Sequence, residues 1–279
     1  MALVTKQVEI GNVKIGGGAP LAFIAGHCVI ENRDSALEIA TELKKLTAAA
    51  GVQFIFKASF DKANRSSGKS YRGPGLKEGV KILAEIKEKL GVPVLTDIHE
   101  LDHVGPVAEA LDVLQIPAFL CRQTDLLIAA AKSGKPVNIK KGQFVSPWDM
   151  KSIVAKIAPS ITEKVTVTER GASFGYNNLV VDMRSLCILR EQGYPVVYDA
   201  THSLQLPGGG SGGETTAGLA QYIPPLARAA AAIGVDAFFM EVHKDPSKAL
   251  SDGQNTLKLS EVPALLETLK KADAVARSA

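Results

Sequence analysis

The chain has 279 residues, 46% hydrophobic and 22% charged, with a net charge of +3. That is enough apolar material for a sizeable core, while the mild positive balance, without any long Lys/Arg run, argues against nucleic acid as a partner and suits small anionic ligands. No apolar run approaches ~18 residues, so no membrane span is expected. The first residues lack the basic-then-apolar pattern of a secretory signal. Three cysteines, Cys28, Cys121 and Cys187, are too scattered for a disulfide framework, and the expected location is the cytoplasm.

Taken in chain order, Val8-Glu9-Ile10, a Gly11-Asn12 turn and Val13-Lys14-Ile15 predict a short N-terminal β-hairpin. Strand-like aliphatic runs then occupy residues 21–25, 53–57, 92–97, 113–117, 137–141, 165–170, 195–200 and 237–242. Amphipathic helical stretches fall at 35–48, 77–90, 124–132, 182–192, 218–233 and 259–272. The strands are near-continuous apolar runs, as parallel strands covered on both faces should be. Eight such units over this length predict α/β architecture, one TIM (β/α)8 barrel spanning residues 1–279. The run Pro-Gly-Gly-Gly-Ser-Gly-Gly at 207–213 follows the seventh strand, where a barrel keeps its mobile loops. It reads as a lid over substrate or as a plain surface turn.

Chemistry in such a barrel sits at the C-terminal ends of the strands. Those ends carry, in order, Cys28; Lys57; Asp97 and His99; Gln115; Lys140 and Lys141; Glu169 and Arg170; Asp199 and His202; Glu241 and His243. Several cations on one rim repel one another unless an anion neutralises them, which points to an anionic, phosphorylated substrate. The loop after the second strand, from Lys57 through Lys62, Asn64, Arg65 and Ser66 to Ser67, is dense in donors for phosphate oxygens. Its plain alternative is a polar surface loop.

Cys28, His202, Glu241 and Asp252 come from the first, seventh and eighth strands and the loop after the eighth. Closure makes the first and eighth strands neighbours, so these four can meet. Thiolate, imidazole and two carboxylates suit a divalent metal. Two other readings stand beside it: a structural cysteine with a core histidine, and a cysteine nucleophile served by His202.

Longer motifs carry a resemblance. Lys57–Lys62 with Ala63-Asn64-Arg65-Ser66-Ser67, Thr96-Asp97-Ile98-His99-Glu100, Gln115-Ile116-Pro117-Ala118-Phe119-Leu120-Cys121-Arg122, Lys140-Lys141-Gly142-Gln143-Phe144, Glu169-Arg170-Gly171 and Asp199-Ala200-Thr201-His202-Ser203 occur in this order. Over about residues 20 to 270 the chain resembles the 3-deoxy-D-manno-octulosonate 8-phosphate (KDO8P) synthases. The resemblance implies condensation of phosphoenolpyruvate with arabinose 5-phosphate, releasing phosphate. It implies that Lys57, Lys62, Lys141 and Arg170, with Gln115 and the Ala118 backbone, hold phosphoenolpyruvate. Asn64, Arg65 and Ser66 would take the sugar and its phosphate, and Asp97 the sugar hydroxyls. Lys62 would serve as proton donor. Arg122 would cross to a neighbouring site in a homotetramer. Cys28 resembles the metal-dependent branch, which implies one divalent ion per subunit (iron, zinc or manganese) on Cys28, His202, Glu241 and Asp252. Lys248, Ser251 and Asp252 fit the family's last loop. His27 departs from the Pro common before that cysteine, and Glu214-Thr215-Thr216-Ala217 departs where an Arg is usual, which touches the lid rather than the reaction. The competing readings are a related synthase using erythrose 4-phosphate and a non-catalytic sugar-phosphate sensor.

Overall fold

Alternation decides where the first strands go. In the computed structural model, which describes residues 4–65, 67–210 and 216–278, β1 (Gln7–Ile10) and β2 (Val13–Gly16) pair antiparallel, Val8 opposite Ile15 and Ile10 opposite Val13. Gly11 turns the chain between them in the left-handed region, φ 57°. Gln7, Glu9 and Lys14 face water, while Val8, Ile10, Val13 and Ile15 are buried. Ser66 and residues 211–215, and with them the expected Ser66 contact and much of the expected lid, lie outside the described residues.

The hairpin is followed by β3 (Ala22–Gly26), β4 (Gln53–Lys57), β5 (Val94–Asp97), β6 (Val113–Ile116), β7 (Val137–Lys140) and β8 (Val165–Glu169). A small ladder, β9 (Ala172–Ser173) with β10 (Leu179–Val180), precedes β11 (Val196–Asp199). A second, β12 (Gln205–Leu206) with β13 (Ala217–Gly218), precedes β14 (Ala237–His243), and β15 (Leu257–Lys258) pairs in parallel beside the end of β14. β14 pairs in parallel with β11 on one side and β3 on the other, which closes eight parallel strands into a barrel.

Period-two alternation then sorts the side chains. Outward residues such as Phe54, Val137, Val167, Tyr198 and Phe238 join the helices in one core. Inward ones, Ala22, Ile24, Ile55, Leu95, Val113, Val197, Ala237 and Phe239, form a second core with the four buried hairpin residues. The hairpin thus plugs the N-terminal end. Ile15→Ala is expected to cost about 2–5 kcal/mol in urea unfolding, because Ile15 is wholly buried and the plug has little room to collapse.

Eight helices cover the barrel among the described residues: α1 (Arg33–Ala50), α2 (Leu76–Leu90), α3 (Leu101–Ala110), α4 (Thr124–Lys132), α5 (Met150–Val154), α6 (Arg184–Arg190), α7 (Ile223–Ile233) and α8 (Val262–Ser278). α1 starts where the Asn32 side chain accepts the Ser35 N–H at 2.8 Å and stops at Gly51 in the left-handed region, φ 64°. α3 and α5 lie where periodicity names no helix. α3 contains Pro106, which blurs a helical pattern, and α5 has only 5 residues. α7 begins at Ile223, later than residue 218, because Pro224 and Pro225 suit a first turn and the preceding residues are spent on β13. No helix among the described residues is long and apolar enough to cross a membrane.

Candidate active site

With its lower end plugged, the barrel opens only at the strands' C-terminal ends, where the inward position changes from aliphatic to charged. Ile55 gives way to Lys57, Leu95 to Asp97, Val113 to Gln115, Val197 to Asp199 and Phe239 to Glu241, all buried. Gly26 keeps β3 tight against β4 here: a Cβ on it would lie 2.0 Å from the Lys57 carbonyl oxygen. That approach lets Lys57 Nζ donate to the Cys28 carbonyl at 3.1 Å.

Glu241 is the hub. Its Oε1 lies 3.1 Å from Lys57 Nζ, 3.5 Å from Lys62 Nζ and 3.5 Å from His202 Nε2. Its Oε2 is buried without a hydrogen-bond partner among the described residues. Burial alone would protonate this carboxyl, but Lys62, Lys57, His202 and Lys140 hold it well below the usual carboxylate range. Ligand atoms of Cys28, Glu241 and Asp252 all lie within 4.8 Å of one another, and Cys28 Sγ donates to Asp252 Oδ2 at 3.2 Å. Asp252 sits in the left-handed region, φ 50°, its carbonyl accepting from Asn255 N–H and Thr256 Oγ1, each at 2.9 Å. A non-glycine residue held this way at a site is strain kept for a purpose. Burial, then Asp252 and Glu241, push the Cys28 thiol well above its ordinary value. That disfavours a free thiolate nucleophile, whereas a divalent cation among these groups would offset the repulsion. The donor set and the orphaned Glu241 oxygen therefore fit a metal ion.

Asp199 organises the neighbouring cations. It accepts from Lys140 Nζ at 2.5 Å and pairs with His202 Nδ1 at 2.8 Å, and the N–H groups of Thr201 and His202 donate to its other oxygen. The pairing at Nδ1 leaves His202 Nε2 turned toward Glu241. Burial is outweighed by His202 and Lys140, so the Asp199 carboxyl lies well below its ordinary value. Asp199 and Glu241 thus titrate lower folded than unfolded, and the unfolded chain binds more protons as pH falls. Their stabilisation is complete above about pH 5 and is lost as pH drops below about 4. Urea unfolding between pH 6 and pH 3 should show a steeper loss for the natural chain than for Asp199→Asn.

On the opposite wall, Asp97 accepts from Ser59 Oγ at 2.9 Å and lies 3.4 Å from His99 Nε2. Burial is overcome by His99, Lys57 and Lys62, which keep Asp97 ionised. Arg65 reaches the last loop, donating to Ser251 Oγ at 2.6 Å and to the Leu250 carbonyl at 3.0 Å. Arg170 donates to Gln205 Oε1 at 2.7 Å and has a buried Nη1 without a partner among the described residues.

These groups line one opening with an outer part of about 790 Å³ and an inner part of about 370 Å³. Lys62, Asn64, Arg170 and His202 border both parts. Lys57, Asp97, Gln115, Ala118 and Lys140 line the inner part, and Arg65, Ser251 and Asp252 the outer. Two expected residues are not brought in. Lys141 points out of the barrel, its Nζ 3.3–3.4 Å from the carbonyls of Gly142, Val145 and Gly171 and 3.5 Å from Glu169 Oε1. Its neighbour Lys140 faces the cavity instead, because adjacent strand residues point to opposite faces. Arg122 is exposed, and its side chain lines neither part. His27 adds no atom to the Cys28 group. It is buried against His243, ring centroids 5.4 Å apart, and burial lowers its pKa to about 4. Asp199, which the sequence places at a strand end without a role, and Phe119 and Gln143, which it places only within longer motifs, also belong to the site; strand parity at 197 and 199 is the signal that turns Asp199 inward.

A closed barrel with buried cations, carboxylates and a thiol converging on its open end defines a (β/α)8-barrel enzyme acting on anions. A sequence model of the DAHP synthetase I family matches residues 2–277, and the chain belongs to that family. It is 58% identical over 272 residues to a protein of Geobacter sp. (strain M21) called 2-dehydro-3-deoxyphosphooctonate aldolase, covering 98% of this chain and 99% of the relative. Proteins of the same name from Citrifermentans bemidjiense and Geobacter sulfurreducens are 58% identical over 272 residues and 53% identical over 274. Each alignment again takes in 98% of this chain, with 99% and 100% of the respective relative.

Proposed function

We propose that the chain is a KDO8P synthase, joining phosphoenolpyruvate, D-arabinose 5-phosphate and water into 3-deoxy-D-manno-octulosonate 8-phosphate with release of inorganic phosphate, a step toward lipopolysaccharide. The observation that carries it is the pairing of relatives named for this product along the whole chain with one cavity bordered by Lys57, Lys62, Lys140 and Arg170. Two phosphorylated substrates need that much positive charge in a place water cannot screen.

In this reading Lys57, Lys62, Lys140 and Arg170, with Gln115 and the Ala118 backbone, hold phosphoenolpyruvate. Lys140 takes the part that the resemblance gave to Lys141. Asn64, Arg65 and Ser66 take the sugar phosphate, and Asp97 the sugar hydroxyls. The methylene carbon of phosphoenolpyruvate bonds to the aldehyde carbon of the sugar. Water adds at the adjacent carbon, and the bond from that carbon to the phosphate oxygen breaks. Burial works against the Lys62 ammonium, but the carboxylates of Glu241, Asp97 and Asp252 hold its pKa well above the ordinary lysine value. Lys62 therefore arrives protonated and delivers a proton to the aldehyde oxygen as it becomes an alkoxide. Cys28, His202, Glu241 and Asp252 would hold one divalent ion, iron, zinc or manganese, which when bound supplies Lewis acidity to a substrate oxygen. Asp199 orients His202 and Asp252 completes the set. Exposed Arg122 suits a contact with a neighbouring subunit's site in a homotetramer.

The rival acceptor is erythrose 4-phosphate, the sugar expected of a related synthase. Phosphate release with each sugar in turn decides: faster turnover with arabinose 5-phosphate supports the proposal, and faster turnover with erythrose 4-phosphate replaces it.

A further inference from the structure

Below the cavity, β7 and β8 bring Asn138, Thr166 and Thr168 into the barrel interior, all three buried and none lining the opening. Aliphatic side chains occupy most of that layer, so three polar ones need an account. Their hydrogen bonds supply it. Thr166 Oγ1 and Thr168 Oγ1 both donate to Asn138 Oδ1, at 2.8 and 2.7 Å. Asn138 Nδ2 donates to Gln115 Oε1 at 2.9 Å. Gln115 Nε2 faces Asp97 Oδ1 at 3.4 Å, the oxygen that also accepts from Ser59.

An amide oxygen only accepts and an amide nitrogen only donates, so this chain has one direction, from two hydroxyls to a carboxylate. Two donors on Asn138 Oδ1 fix its amide. Its nitrogen then fixes the Gln115 oxygen, which leaves Gln115 no choice but to turn its donor to Asp97. Were Asn138 reversed, Gln115 would present an oxygen to a carboxylate, an arrangement that repels in a buried setting.

We infer that Asn138 is a positioning residue for the reaction: anchored by Thr166 and Thr168, it sets the Gln115 amide so that Asp97 Oδ1 is held by Gln115 and Ser59 and the carboxylate, whose Oδ2 faces His99 Nε2 at 3.4 Å, keeps one orientation toward the cavity. This rests on the reading of Gln115 and Asp97 as substrate contacts. Nothing in the chain touches the metal ligands, and the effect does not depend on a change of protonation.

Asn138→Asp tests it, since a carboxylate still accepts from both threonines but offers Gln115 no donor. With phosphoenolpyruvate saturating, kcat/KM for arabinose 5-phosphate should fall at least about tenfold. In a Gln115→Leu background, where the chain is already cut, the same change should add less than about twofold. A merely structural residue would give additive losses. If Asn138→Asp does not fold, the Thr166→Val/Thr168→Val pair, which keeps side-chain shape and frees the Asn138 amide, should give a similar loss, while Thr166→Val alone leaves one donor and stays within about threefold. Activity of Asn138→Asp or the threonine pair within about twofold of the natural chain, or an equal loss with and without Gln115, overturns the inference. A natural chain inactive toward arabinose 5-phosphate would instead sink the functional reading, and this inference with it.

Discussion

Lys62→Met should lower kcat for phosphate release by about 10²–10⁴ while changing KM for either substrate far less. Methionine keeps the length and apolar stem of the side chain and removes only the ammonium, so the loss reports proton delivery and charge rather than packing. The position favours a large effect. Lys62 borders both parts of the cavity, lies 3.5 Å from Glu241 Oε1, and is held in its charged form by the acidic groups around it. It is also less constrained than Lys57 or Lys140. Lys57 is committed to Glu241 and the Cys28 carbonyl, and Lys140 to Asp199. A variant that keeps kcat within about threefold of the natural chain would remove Lys62 as the donor.

The second large effect is expected at Glu241. Glu241→Ala deletes the one carboxylate shared by Lys57, Lys62 and His202 and one of the three groups clustered with Cys28. Two consequences should appear together. Bound divalent metal, measured by elemental analysis after gel filtration, should fall from one ion per chain to a trace. Stability in urea should drop by about 3–5 kcal/mol, because a buried Lys57 ammonium is left without its partner. Retained metal would remove Glu241 from the ligand set. Unchanged stability would show that Lys57 finds compensation elsewhere.

The barrel was legible because hydrophobic runs of strand length recur with helical stretches between them, and because buried parallel strands have no polar face to confuse the pattern. The rim was legible for a related reason: Lys57, Asp97, Asp199 and Glu241 interrupt those runs at the same end. What depended on parity was harder. Lys140 and Lys141 are adjacent and identical in type, and only the register of β7 against β6 and β8 decides which one enters the barrel. Asn138, Thr166 and Thr168 lie inside runs that read as plain core, so the hydrogen-bonded chain beneath the cavity left no mark on composition. The Cys28–Glu241–Asp252 cluster required closure of β14 onto β3, which strand count suggested but spacing could not supply. α3 and α5 escaped because a proline and a short length defeat periodicity.

The most direct test of the account is phosphate release by chelator-stripped protein given phosphoenolpyruvate and arabinose 5-phosphate, with and without a restored divalent ion. The account predicts release that needs both substrates and returns only with metal. Full release from stripped protein would contradict the metal role of Cys28, His202, Glu241 and Asp252, and no release even with metal restored would contradict the reaction itself.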